Sequence, residues 1–82
     1  MTLLEVVYRY GAAPVEAELR AIDNAREVYG IRRISFNEKD HTVRVEFDAS
    51  RLRETDVANL LRRAGLDLGE KLVLARRYPI VH

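Results

Sequence analysis

Residues 30–48 read GIRRISFNEKDHTVRVEFD, and this stretch decides the fold. Apolar and polar residues alternate on both sides of a short polar segment, residues 38–41. A period of two is typical of a strand that buries one face. The stretch therefore predicts a β-hairpin with one apolar face. That face carries Ile34, Phe36, Val43, Val45 and Phe47.

A helical pattern lies on each side of the hairpin. The first helix is predicted over residues 14–29 and the second over residues 54–64, because apolar residues recur there every three or four positions. Gly30 and Gly65 follow the two helices at the position where a helix commonly ends in a glycine. The helical residues expected in the core are Val15, Leu19, Ile22, Ala25, Val57, Leu60, Leu61 and Ala64, with Val28 or Tyr29 continuing the first stripe.

One apolar run lies outside each helix. Residues 3–10 predict a first strand whose inward face carries Leu4, Val6, Tyr8 and Tyr10. Residues 71–77 predict a last strand, with Leu72 and Leu74 inward and Val73 and Ala75 outward. Pairing of this strand should stop near Tyr78, because Pro79 has no N–H to donate.

The resulting order of elements is βαββαβ. Each helix connects two strands of the same sheet, and right-handed connections would place both helices on one face. This order predicts an α+β fold of the ferredoxin-like type, a two-layer sandwich in which a four-stranded antiparallel sheet keeps its other face open. The 82 residues form one domain, residues 1–82.

Composition limits the possible functions. Fourteen Lys and Arg residues against thirteen Asp and Glu give a net charge of +1, too balanced to attract nucleic acid or an anionic membrane by charge alone. The chain has no Cys, and therefore no disulfide or thiolate ligand. With neither a signal-peptide pattern nor an apolar run of membrane-spanning length, we expect a cytoplasmic protein.

Glycine, apolar and polar residues stand at a characteristic set of positions between the first strand and the end of the second helix. They are Gly11, Gly30, Ile31, Ile34, Phe36, Asn37, Val43, Val45, Phe47, Asp48, Val57, Leu61 and Gly65. In these positions the chain resembles heavy-metal-associated (HMA) domains, the small copper chaperones and the soluble modules of metal-pumping P-type ATPases. The resemblance covers residues 5–66 and implies the same ferredoxin-like fold.

The resemblance does not extend to the metal ligands of the family. Its two Cys positions correspond to Pro14 and Ala17, and its Met position corresponds to Ala12. Because Leu19 and Ile22 lie about one residue out of the family register, these positions are assigned to within one residue. Hydrocarbon side chains offer no lone pair to Cu(I) or Zn(II). We therefore expect neither a bound metal nor another cofactor.

Other chemistry is poorly supported. His41 lies beside Asp40 and Glu38 in the hairpin loop, where a solvated turn is a simpler interpretation than a cation site. The Ser and Thr residues have no His partner at a plausible strand position, so we do not expect an enzyme. Arg9 and the helix start at Pro14 only weakly resemble the phosphate site of small acylphosphatase-type hydrolases.

The open face of the sheet is the remaining candidate surface. RNA-recognition domains of this topology stack bases on aromatic residues there, whereas Thr42, Arg44 and Glu46 would occupy that face here. Arg9, Arg33, Arg44, Lys71 and Arg77 would make the face basic. We do not expect nucleic-acid binding; weak single-stranded binding on this face, and residual heavy-metal or anion binding, are the alternative functions.

Protein contacts are the preferred function. The first and last strands place a small apolar patch on the open face, formed by Leu3, Val7, Val73 and Ala75. The last strand is a sheet edge without a charge between residues 72 and 75, whereas Arg32 and Arg33 guard the other edge. The sequence thus predicts a non-enzymatic interaction or regulatory module, bound to an unidentified protein or forming a weak homodimer through its last strand.

Overall fold

The computed structural model describes residues 2–77, the last two through their backbone alone. It contains six elements in the predicted order. They are β1 (Leu3–Tyr10), α1 (Glu16–Ala25), β2 (Ile31–Asn37), β3 (Thr42–Asp48), α2 (Glu54–Arg63) and β4 (Leu68–Arg77). The predicted end of strand pairing near Tyr78 lies outside the described residues.

The four strands form one antiparallel sheet in the order β2-β3-β1-β4. The α+β, ferredoxin-like prediction is therefore confirmed, with β2 and β4 as the outer strands. The apolar residues that alternate along each strand are paired across the sheet, as expected: Val6 lies opposite Val45, and Val45 lies opposite Ile34.

The core lies between one face of the sheet and the two helices. Phe47, Val43 and Val45 of β3 are fully buried, because β3 is a central strand covered by both helices. The other buried residues of the cluster are Val6, Tyr8, Tyr10, Ile22, Ile34, Val57, Ala58, Leu61 and Leu66. Helices that contribute to one cluster lie on one face of the sheet, as predicted.

Helix α1 is shorter than the predicted helix and is rotated relative to it. It ends at Ala25, and turns lead from there to Gly30. Leu19 is 41% exposed and Val15 is exposed, so their predicted burial is wrong. Glu18, beside Leu19, is half-buried, and its carboxylate lies so close to Gly65 that a Cβ there would stand 2.9 Å from Oε2.

Helix α2 matches its prediction more closely. Val57 and Leu61 are buried, Gly65 follows the helix with φ of 100°, and Ala58 adds to the buried stripe. Leu60 is only half-buried and lies outside the core cluster, contrary to expectation.

Candidate functional site

No helix covers the second face of the sheet, which we call the open face. Pairing aligns one residue from each strand across it, in the order Ser35, Arg44, Val7 and Val73. Residues directly opposite in antiparallel strands point to the same face. The open face is therefore crossed by a row that is polar on β2 and β3 and apolar on β1 and β4.

The sheet brings together the residues of the predicted patch. Val7 lies opposite Val73, Glu5 opposite Ala75, and Leu3 near the end of the same strand pair. Their accessibility differs, however. Val7 is only 9% exposed, because its neighbours on the face cover it, whereas Val73 and Ala75 are exposed. Val7 thus forms the buried floor of the patch, and the residues of β4 form the accessible surface of the patch.

An irregularity in β4 adds Leu72 to this surface. Val7 lies opposite Val73 but Tyr8 lies opposite Lys71, so Leu72 is an extra residue in the ladder, a β-bulge. Leu72 lines the same groove of about 340 Å³ on the open face as Val7 and Val73. The predicted inward orientation of Leu72 is therefore wrong, and the reason is the bulge.

Leu74 follows the predicted orientation but is not covered. It lies opposite Val6, which places it on the helix side of the sheet. Even so, Leu72, Val73 and Leu74 are 40%, 44% and 44% exposed. Three consecutive large apolar residues are thus accessible on an outer strand, on both of its faces. We call residues 72–75 the β4 edge.

The other outer strand differs in a way that disfavours pairing. Arg32 and Arg33 are exposed on β2. Charged residues on an outer strand are a common device that keeps its edge from pairing with another chain. Among the described residues, the accessible apolar edge is therefore that of β4.

Ion pairs flank the β4 edge on its N-terminal side. Lys71 Nζ lies 3.0 Å from a Glu54 carboxylate oxygen on the helix side, and Arg9 lies 3.4 Å from Glu70. Lys71 was expected to make the open face basic, and this expectation is wrong because the bulge turns Lys71 towards α2. Charge next to the β4 edge is thus largely balanced within the chain.

The arginines of the open face also have acidic neighbours. Arg44 lies 3.6 Å from Glu5, and Arg33 lies 4.0 Å from Glu46. Within residues 2–75, the strand register places no aromatic side chain on this face. The two features that single-stranded nucleic acid uses, unpaired positive charge and a stacking platform, are therefore weak there.

The loop between β1 and α1 is where the resemblance would place a metal. Pro14 is half-buried in this loop, and Ala17 is exposed in the first turn of α1. The described residues contain no group of three or more His, Cys, Asp or Glu side chains placed to hold a metal ion.

His41 makes contacts that the sequence did not indicate. It is exposed, in agreement with a solvated turn, but its ring stacks on Tyr10 with centroids 5.4 Å apart. His41 Nδ1 lies 3.2 Å from the Gly11 carbonyl oxygen, and a carbonyl only accepts, so Nδ1 is the donor in any hydrogen bond between them. The hairpin loop thus packs against the β1–α1 loop, 30 residues away in sequence.

A second cavity lies at the opposite end of the sheet. It has a volume of about 390 Å³, and Arg26, Arg51 and Asp48 contribute to its lining. Val28 or Tyr29 was expected to continue the buried stripe of the first helix. Val28 is half-buried, whereas Tyr29 is 70% exposed and has the Arg51 guanidinium 4.4 Å from its ring centre. The turns that follow the early end of α1 carry Tyr29 outward.

The described helices lack the combination of length and apolar composition that a membrane span needs.

Comparison of the chain with known proteins gave no match. No protein-family model matches it, and no curated protein or solved structure matches it.

Proposed function

We propose that this protein is a non-enzymatic, HMA-like module of the cytoplasm that acts through protein contacts, with the β4 edge as the site where a partner strand is added. The observation that carries the proposal is the exposure of Leu72, Val73 and Leu74 on an outer strand. An outer strand offers backbone N–H and C=O groups to another extended chain, and exposed side chains add apolar contact.

The geometry supports strand addition over a flat surface contact. The groove on the open face has Val7 as its floor and Leu72 and Val73 as its outer wall. A strand placed beside β4 would extend this groove, and its own side chains would cover Leu72 and Val73 on one face and Leu74 on the other. Both faces of β4 would gain contacts in one association.

The expected affinity is modest. Covering the β4 edge would remove about 300 Å² of apolar surface from water, a gross gain of about 7 kcal/mol at about 25 cal/mol per Å². Lost rotational and translational freedom consumes most of such a gain. We therefore expect a dissociation constant in the micromolar range or weaker, unless backbone hydrogen bonds add substantially.

The order of the elements is the feature that supports the proposed HMA relationship, whereas the loop before α1 departs from the family. The positions of the two family ligands lie at the start of a helix, but they hold Pro14 and Ala17. A chain that keeps the fold and lacks the ligands is consistent with a module whose remaining role is recognition.

Site-specific photo-cross-linking tests the proposal. A photoreactive amino acid at position 73, in cells that express the protein, should give a discrete adduct. The same group at Asn24, an exposed position on α1, should not. The captured partner is then purified, and Val73→Lys should weaken its binding at least tenfold. Absence of adducts at positions 72, 73 and 74 would contradict the proposal.

A further inference from the structure

We propose that the partner strand is β4 of a second copy of this chain, paired antiparallel about a two-fold axis between Leu72 and Val73. This inference rests on the proposed function, because it assumes that the β4 edge accepts a strand. It adds the identity of the partner and the register of pairing.

The faces of β4 select the register. The bulge puts Leu72 and Val73 on the open face, while Lys71 and Leu74 lie on the helix side. Opposite residues of antiparallel strands share a face. Placing Leu72 opposite Val73 of the second copy also places Leu74 opposite Lys71, so that every pair is matched in face.

The same register is chemically self-complementary. On the open face, Leu72 and Val73 of the two copies would form one apolar strip. This strip would lie between Val7 of one copy and Val7 of the other. On the helix side, Leu74 would pack along the hydrocarbon stem of Lys71, whose ammonium group remains 3.0 Å from Glu54 of its own chain. Like charges do not meet at any of these pairs.

Neighbouring registers are poorer. A slip of one residue places Leu72 of the open face opposite Leu74 of the helix side, which breaks the matching of faces. A slip of two places Val73 of the open face opposite Leu74 of the helix side, which also breaks the matching of faces. A single register is therefore preferred, which is what a closed two-fold dimer requires.

Disulfide trapping tests the register, and the absence of Cys from the chain gives it a clean background. In the proposed register Glu70 lies opposite Ala75 of the second copy, and both residues are exposed. Two copies of position 70 would be separated by five residues along the ladder, about 17 Å, too far for a disulfide.

Glu70→Cys and Ala75→Cys are therefore prepared separately, one of them with a mass tag, and are oxidised alone and as an equimolar mixture. We expect the mixture to form mixed disulfide dimers at least tenfold faster than either variant forms its own dimer. Ser35→Cys, on the open face of β2, is the collisional control. Equal rates for mixed and like pairs, or rates no higher than that control, would overturn the register.

Sedimentation of the unmodified chain tests the partner. The dimer fraction should rise between 10 µM and 1 mM for the native sequence and should be lost in Val73→Lys. If the native chain sediments as a monomer throughout this range, the inference that the partner is a second copy of the chain is wrong. If position 72, 73 or 74 then cross-links to a different protein, the proposed function stands without this inference; if none of the three gives an adduct, both fail.

Discussion

Ser50 donates both its backbone N–H and its hydroxyl to the same Asp48 oxygen, Oδ1, at 3.0 and 2.7 Å. Asp48 ends β3 and is the buried charged residue among those described. Its backbone N–H donates to the Gly30 carbonyl oxygen at 2.7 Å, which ties the end of β3 to the turn before β2. Hydrogen bonds to the ionised carboxylate hold the pKa of Asp48 below its usual range.

The first prediction is that Ser50→Ala destabilises the fold at pH 7 and loses this effect in acid. Because the pKa of Asp48 is lower in the folded chain than in the unfolded chain, its stabilisation is complete above the unfolded value of about 3.9 and is lost as pH falls through the folded value. Urea denaturation at several pH values from 7 to 2 should show the difference from wild type shrinking below about pH 4. Glu27→Gln, an exposed change, is the control. A difference that stays constant with pH would contradict the role given to Asp48.

The second prediction concerns Gly30, which has φ of 105° between α1 and β2. A side chain there is strained by the backbone, and a Cβ would also stand 3.0 Å from Leu52 and Arg51 side-chain atoms. Gly30→Ala should therefore lower the free energy of unfolding by at least about 1 kcal/mol. D-alanine accepts positive φ, so a synthetic chain with D-alanine at this position should show a smaller decrease in the free energy of unfolding. Thermal and urea denaturation provide the measurement. Equal losses would contradict positive φ as the cause of the destabilisation.

The third prediction separates the two faces of α1. Ile22 is 1% exposed and belongs to the core, so Ile22→Ala should cost roughly 2 to 5 kcal/mol through lost burial and the cavity left behind. Leu19→Ala, one turn earlier on a half-exposed position, should cost less than about 1 kcal/mol. Matched urea denaturation curves of the two variants provide the measurement. A larger loss for Leu19→Ala would show that the helix packs as its apolar periodicity suggested.

Periodicity predicted most of this fold because each strand has one face in the core. The alternation of Val43, Val45 and Phe47 determines both the strand and its register, since a slip of one residue would expose all three. The same logic fails at a bulge. Leu72 continues the alternation of the sequence, but an extra residue in the ladder turns it to the opposite face.

The remaining differences arise from tertiary contacts. Leu19 has the spacing of a core residue, yet it is exposed, and the half-buried Glu18 beside it lies against Gly65. The contact of His41 with Gly11 joins two loops that periodicity does not relate. For the candidate site, the sequence indicated the strand pair and the apolar residues, while the accessibility of Leu72 and the burial of Val7 required the structure.

The last prediction concerns the loop before α1. Native protein titrated with Cu(I) or Zn(II) against a chromophoric chelator should bind weakly at best, because Pro14 and Ala17 provide no donor atoms. Pro14→Cys combined with Ala17→Cys should create tight one-to-one binding. One thiol would lie in the loop just before α1 and the other in its first turn, near the helix N-terminus that lowers thiol pKa and favours the thiolate.

Each single Cys variant serves as the control for that experiment, since one thiol should bind far more weakly than two. Submicromolar, stoichiometric binding by the native protein would contradict the interpretation of these two positions. Failure of a folded double variant to bind would show that the loop has lost the geometry of the family. The resemblance to HMA domains would then be limited to the order of the helices and strands.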